Sequence, residues 1–190
     1  MLLWRERIPD DWLPRVLNNL PAILVDHAHL ERKAATTAIN LEKFRELYPH
    51  VDELNTIAIE ELQHFQLVLG LLRQRGIPFG QPYPSPWITG LMRSIRHGTR
   101  QQAIDHLICC AFIEGRSCEK FQILARELRR ADPALAQFYS SLVESEGNHY
   151  ATYLLMARRL DGAETDRRLE FYLDFEAELL RQPHSLPILH

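Results

Sequence analysis

The feature that most limits how this chain can fold is a carboxylate–imidazole pattern that occurs twice. Glu61 and His64, in Ile59-Glu60-Glu61-Leu62-Gln63-His64, stand three residues apart, and Glu146 and His149, in Glu146-Gly147-Asn148-His149, repeat the spacing. Residues three apart share one helical face, so each pair aims a carboxylate and an imidazole in one direction. The pairs alone say little, because a chain with 16 Glu and 9 His contains about one such pair by chance. Two upstream glutamates add the information. Glu31 precedes Glu61 by 30 residues and Glu114 precedes Glu146 by 32. In an antiparallel helix pair, residues equally far from the connecting turn lie level. The midpoint of the first pair, position 46, falls beside Tyr48-Pro49-His50, and that of the second, position 130, beside Ala131-Asp132-Pro133. Each lone Glu is therefore expected level with its Glu-x-x-His partner.

Glu31, Glu61, His64, Glu114, Glu146 and His149 then form one set of four carboxylates and two imidazoles. That is the ligand set of ferritin-like di-iron carboxylate bundles. A carboxylate-rich site with two imidazoles and no thiolate suits iron or manganese better than zinc. The plainer reading of each Glu is a solvated surface charge, and the neighbours argue against it. Glu31 shares its face with Leu24, Ala35 and Ala38, and Glu114 follows Ile108-Cys109-Cys110-Ala111-Phe112-Ile113. A carboxylate buried among such residues is costly unless it binds a cation or keeps a proton. His27 lies one turn before Glu31 and reads as a pocket residue, the set being complete without it. Cys110 and Cys118 flank Glu114 and read as core thiols. Tyr139 and Tyr153 read as core phenols, and Trp12 and Trp87 as packing or lid aromatics. The alanines at 34, 35 and 38 leave room for a substrate. No catalytic residue beyond the metal ligands is singled out.

The breakers predict an all-α, ferritin-like four-helix bundle with short accessory helices. A short leading helix follows Asp10-Asp11. A long helix starts at Pro21 and runs to about Leu47, and a second runs from an Asp52 cap to about Arg75, stopping at Gly76. The Pro- and Gly-rich stretch 76–86 cannot be helix, and Ser85-Pro86 opens a short helix that ends near Gly98. The crossover 76–98 is long, so the second and third core helices are expected to run parallel. Thr99-Arg100-Gln101-Gln102 reads as a capping box for the third, and Asp132-Pro133 opens the fourth, which Gly162 ends. A helix from about Ala163 to Arg181 follows, with a loose tail after Pro183. No boundary divides the sequence, so 1–190 reads as one domain, with accessory segments 1–20 and 163–190.

The formal net charge is −3, which excludes a strongly basic field, and the cations are 19 Arg against 3 Lys. No run is apolar enough to span a membrane, and Met1-Leu2-Leu3-Trp4-Arg5-Glu6-Arg7 lacks a signal-peptide core. Three cysteines, Cys109, Cys110 and Cys118, make no Cys-x-x-Cys pair and suit a reducing cytoplasm.

Four stretches resemble a known family, the bacterial tRNA-(2-methylthio-N6-isopentenyl-adenosine) hydroxylases. They are Asp26-His27-Ala28-His29-Leu30-Glu31-Arg32-Lys33-Ala34-Ala35, Ile59-Glu60-Glu61-Leu62-Gln63-His64-Phe65, Ile113-Glu114-Gly115-Arg116-Ser117-Cys118-Glu119-Lys120-Phe121 and Ser145-Glu146-Gly147-Asn148-His149-Tyr150. Gly115 and Lys120 depart from the alanine and arginine expected there. The resemblance spans about Leu20 to Leu160. It implies a non-haem di-iron centre, with two iron ions on the six residues already named. It also implies O2 as co-substrate and hydroxylation of the isopentenyl group of an adenosine next to the anticodon of tRNA.

The alternative is a ferritin-like ferroxidase or iron-handling protein, which a closed multi-subunit shell would reveal. A rubrerythrin-like peroxidase would bring a Cys-x-x-Cys iron site, which is absent. The chain carries no Gly-rich dinucleotide fingerprint and no cysteine iron–sulfur pattern, so an external reductase is the expected electron donor. Nothing in the sequence demands an oligomer. The expected tRNA contacts are Arg73, Arg75, Arg93, Arg96 and Arg100, clustered in sequence around the crossover, where an unpaired nucleotide would leave its stack to reach the metals.

Overall fold

The structure is a computed structural model and describes residues 4–190; Met1–Leu3 of the expected accessory segment lie outside them. The described residues form helices and no strand: α1 (Trp12–Leu17), α2 (Leu20–Leu41), a 3-10 helix (Arg45–His50), α3 (Val51–Gln74), α4 (Pro86–Arg93), α5 (Thr99–Glu127), α6 (Pro133–Leu160) and α7 (Gly162–Leu180). None of these helices is long and apolar enough to cross a membrane.

The starts and stops follow local chemistry. Pro133 sits in the first turn of α6, and the Asp132 carboxylate accepts from the Leu135 amide at 3.0 Å. Ser85 caps α4 in the same way, accepting from Ile88 N–H at 3.1 Å. α3 stops because Gly76 takes φ +64°, a conformation that only glycine adopts without cost. The Ile77 amide then reaches back to the Leu72 carbonyl at 2.9 Å and closes the last turn.

Several boundaries differ from the sequence expectation. α2 ends at Leu41, six residues before the expected Leu47, because Phe44 is extended and Pro49 sits inside a 3-10 turn. An α-helix through Pro49 would drive its ring into the carbonyl of residue 45. Asp52 lies in the first turn of α3 without capping it. Gly98, at φ +105°, precedes α5, and no side chain caps that end, so Thr99 does not close a capping box. Gly162 begins α7 instead of ending α6; Asp161 caps it by accepting from Glu164 N–H at 3.1 Å. The tail is not loose. Ile188, Leu189 and His190 are buried, Trp12 Nε1–H donates to the Leu189 carbonyl at 3.0 Å, and Leu189 N–H donates to Asp26 at 2.8 Å.

α2 packs on α3 and α5 on α6, giving two helical hairpins. Their ends are marked by ion pairs. Arg75 at the end of α3 meets Asp132 before α6, while Arg159 near the end of α6 meets Glu53 at the start of α3. α3 and α5 therefore run parallel, and the crossover travels the length of the bundle, as expected for a ferritin-like fold. Gly90 lets α4 lie against α7, since a Cβ there would stand 2.5 Å from a Leu179 methyl.

The interior holds two apolar clusters. α2 passes from Ile23, Leu24 and Ala28 in one to Ala38 and Leu41 in the other, and α3, α5 and α6 cross between them likewise. Between the clusters each helix contributes its polar ligand-type residues.

α7 is fastened to α5 by a buried pair. Arg116 has no solvent exposure and bonds both oxygens of buried Glu176, at 2.8 and 2.9 Å, with Trp4 stacked 4.0 Å from its guanidinium. Removing Glu176 would leave the buried guanidinium with only the partly exposed Glu119 at 2.7 Å and the Glu6 carbonyl at 3.0 Å as partners. Glu176→Ala is expected to cost about 3–5 kcal/mol in denaturant unfolding, and Arg116→Met with Glu176→Leu to recover most of it. Equal destabilisation by the single and double replacements would contradict this assignment.

Candidate metal centre

The level-matching of the helices brings all six residues together. Donor atoms of Glu31, Glu61, His64 and Glu146 lie within 4.8 Å of one another, and so do those of Glu61, Glu114, Glu146 and His149. The two groups share Glu61 and Glu146, one from each Glu-x-x-His pair. That overlap is what two adjacent cations bridged by carboxylates would require. All six side chains are buried.

The imidazoles present Nδ1 to this space. His64 Nδ1 stands 3.6 Å from Glu31, 3.8 Å from Glu61 and 3.6 Å from Glu146. His149 Nδ1 stands 2.7 Å from Glu61 Oε1. Yet Glu61 Oε1, His64 Nδ1, Glu146 Oε1 and His149 Nδ1 are all without a hydrogen-bond partner. Buried polar atoms converge here without bonding one another, because they point at a common centre. This fits a bound cation, which would satisfy them together.

Outer contacts fix the orientation. His149 Nε2 bonds Glu60 Oε2 at 2.6 Å, and His64 Nε2 lies 3.3 Å from Ser145 Oγ. Each outer bond leaves Nδ1 as the bare nitrogen. His27 Nε2 bonds Glu31 Oε1, as a pocket residue would, and its ring stacks on Tyr139. Sequence reasoning passed over Glu60 and Ser145. Glu60 adjoins a candidate ligand and Ser145 precedes another, but neither recurs in the four-helix pattern.

The electrostatics describe a crowded acidic core. Burial and the nearby Glu61 carboxylate push Glu114 up to about 8. Burial and Glu31 raise Glu61, and burial with Glu61 and Glu114 raises Glu146 well above the ordinary range. Burial disfavours the charge on His64, but the facing Glu31 and Glu61 carboxylates prevail and raise it to about 10; His149, facing Glu61 and Glu114, rises to about 9. Only Glu31 is lowered: burial opposes its charge, but His27 and the neighbouring His64 and Glu61 together prevail.

A cavity of about 250 Å3 adjoins the cluster, walled by Glu31, Glu61, Glu114 and Glu146 and by Leu30, Ala34, Ile88, Met92 and Ile113. Ala34 supplies room as expected, whereas Ala35 and Ala38 are packed into the interior. Ile88 and Met92 belong to α4, so the cavity lies beside the crossover. Cys110 and Tyr153 also line it, while Cys118 bonds the Val143 carbonyl at 3.5 Å.

The five arginines do not form one cluster. Arg73 and Arg75 lie at the bundle end near Asp132, which Arg75 grips at 2.6 and 3.0 Å. Arg93, Arg96 and Arg100 follow at the other end of the crossover, where Arg96 is held by Asp105 and Glu164 and Arg100 bonds the Leu160 carbonyl. α3 is 24 residues long, which separates the two groups by roughly 36 Å. Proximity in sequence misled because the crossover is extended, not folded back.

The chain is similar to known proteins over nearly its whole length. Residues 2–190 match the family described as tRNA-(MS[2]IO[6]A)-hydroxylase (MiaE). A tRNA 2-(methylsulfanyl)-N(6)-isopentenyladenosine(37) hydroxylase of Pseudomonas putida is 36% identical over 177 residues, covering 92% of this chain and 85% of that protein. The enzyme of the same name from Salmonella typhimurium is 35% identical over 133 residues, covering 70% of this chain and 48% of that protein. Among solved structures, a Synechococcus protein with aldehyde deformylating oxygenase activity superposes with a TM-score of 0.90 at 32% identity, covering 100% of this chain and 96% of that one.

Ligation of a cation requires bare carboxylates and neutral imidazoles, so uptake must displace protons held by Glu61, Glu114, Glu146, His64 and His149. In the metal-free protein these raised groups bind more protons folded than unfolded. Its stability is therefore expected to fall as pH rises through the carboxyl and imidazole values of about 8, 9 and 10. Divalent-cation affinity is expected to rise over the same span. Urea titrations of the metal-free protein and calorimetric metal titrations at several pH values check both signs. Glu60→Ala is expected to weaken metal binding by about 10–100-fold while leaving the fold intact.

Proposed function

The chain belongs to the tRNA-(MS[2]IO[6]A)-hydroxylase family, and on that footing we propose that it hydroxylates the isopentenyl group of 2-methylthio-N6-isopentenyl-adenosine next to the anticodon of tRNA. The observation that carries the reading beyond family membership is the apolar cavity laid against the Glu/His cluster. A protein that only stores or oxidises iron needs passage for an ion. A prenyl group needs a dry space of this size beside the oxidising centre, and Leu30, Ala34, Ile88, Met92 and Ile113 offer one.

The six residues Glu31, Glu61, His64, Glu114, Glu146 and His149 would hold two iron ions. Bound there, a di-iron centre would supply the paired electrons with which O2 is activated to oxidise a C–H bond of the prenyl group. The chain's own contribution is arrangement. Glu61 and Glu146 belong to both donor groups, and Glu31 with His64 and Glu114 with His149 complete one group each. Glu60 and Ser145 hold the imidazoles with Nδ1 inward, and His27 turns Glu31 toward the centre. The apolar wall excludes water, so the oxidant meets the substrate and not solvent.

Hydroxylation consumes O2, two electrons and two protons for each alcohol and water formed. The substrate supplies none of those two electrons, so a separate reductase is the partner this reading requires. Purified protein is expected to hold two irons per chain by metal analysis, and Glu114→Ala to lose iron and turnover together. Nucleoside mass analysis of tRNA from cells with and without the gene should show the hydroxylated base only with it. Retention of that base in the deletion strain would defeat the assignment. Sustained turnover with NAD(P)H and O2 alone would defeat the need for a partner reductase.

A further inference from the structure

A second cavity, of about 440 Å3, lies on the far side of the tail. Trp12, Trp87 and Lys120 line it, with Arg7, Arg15 and Arg181. His190 lines this cavity and also the smaller one beside the Glu/His cluster. One imidazole thus stands between the two spaces.

The way that ring is held is informative. It lies on Trp87 with centroids 5.4 Å apart and planes 16° from parallel. Nδ1 accepts from Lys120 Nζ at 3.1 Å, and Nε2 is 3.0 Å from Ser117 Oγ. An ammonium can only donate, so Nδ1 is the bare nitrogen and Nε2–H donates to Ser117. A flat heteroaromatic ring, stacked on one face and bonded at two in-plane nitrogens, is held as proteins hold an unpaired nucleobase.

Lys120 makes the arrangement unusual. It is only 3% exposed, and no carboxylate of the described residues lies within ion-pair reach. Its nitrogen sits 5.6 Å from the Trp12 and Trp87 rings. A buried ammonium with so little compensation is costly, and burial pulls Lys120 down to about 7. Such a group suits a ligand that brings acceptor nitrogens or phosphate oxygens. The segment that now supplies the acceptor, from Pro183 to His190, has neither helix nor strand.

We propose that Trp87, Lys120 and Ser117 form a purine subsite for the substrate nucleotide, which His190 fills as an intramolecular stand-in until the incoming base displaces it. The subsite rests on the tRNA-hydroxylase reading and extends it. A base stacked there directs its N6 substituent into the smaller cavity, because Ser117 and His190 border that cavity. Its phosphates face Arg15 and Arg181, whose present partners, Asp11 and Glu6, are surface carboxylates that phosphate can replace.

The test uses iron-loaded full-length protein and a synthetic anticodon stem-loop carrying N6-isopentenyl-adenosine, with binding read by tryptophan fluorescence and calorimetry. Lys120→Met is expected to weaken binding by about tenfold or more, the loss of one charged hydrogen bond, and Ser117→Ala by a few-fold. His190→Ala is expected to tighten binding about threefold or more, since it removes the competitor. The opposite sign for His190 is what separates a stand-in from ordinary packing. Iron content and thermal melts report the fold of each variant, and Ser117→Ala remains decisive if Lys120→Met misfolds. If wild type binds and hydroxylates the stem-loop while Ser117→Ala and His190→Ala bind it unchanged, the subsite is wrong and the function stands. If all variants weaken binding alike, His190 is only packing and the subsite is wrong. If iron-loaded wild type neither binds nor hydroxylates the stem-loop, the functional reading falls and the subsite with it.

Discussion

Four carboxylates in the middle of a helical bundle are the constraint on which this structure depends. Bare and dry, they would repel one another strongly enough to open the fold. The chain answers with protons, imidazoles and, on the functional reading, cations. Glu61, Glu114 and Glu146 keep protons that ordinary carboxyls would lose, His64 and His149 bring compensating charge, and His27 bonds Glu31. The polar layer is affordable only because large apolar clusters flank it on both sides.

The same logic of burial recurs away from the centre. Arg116 with Glu176 is a pair taken out of water, and buried Asp105 is matched oxygen for nitrogen by the partly exposed Arg96 and Arg168. They tie α7 and the crossover to α5, and α5 carries Glu114, Ser117 and Lys120. Lys120 alone among these buried charges lacks a carboxylate, and it borders a cavity. Matched pairs hold the scaffold, and on the proposal above the unmatched cation is where the nucleotide fits.

The bundle and the clustering of the six candidate residues were legible in the sequence because both are periodic. Helical spacing put Glu-x-x-His on one face, and equal distances from two turns put the partners level. What escaped notice depends on contacts without period. Glu60 reads as a surface residue, and only the fold brings its half-exposed carboxylate to His149. The buried tail carries no helical pattern, yet Trp12, Asp26 and Ser85 each offer it a hydrogen bond across more than a hundred residues. The arginines misled for the converse reason, since closeness in sequence meant separation along an extended crossover. Thr99 and Gly162 show the same limit at small scale: a capping residue type names a helix end, and the flanking dihedrals decide which one.

The passage of all four long helices from one apolar cluster to the other has a consequence for cooperativity. The protein holds two hydrophobic cores in series, joined by a polar seam that neither can shield alone. Were one core to melt, water would reach the carboxylates and the cation sites would lose the dry walls that make them tight. Cations held at the seam would therefore act as a rivet between the two cores, penalising every half-melted state. Without them only the continuity of the four helices would couple the two cores, and the unfolding transition is expected to broaden.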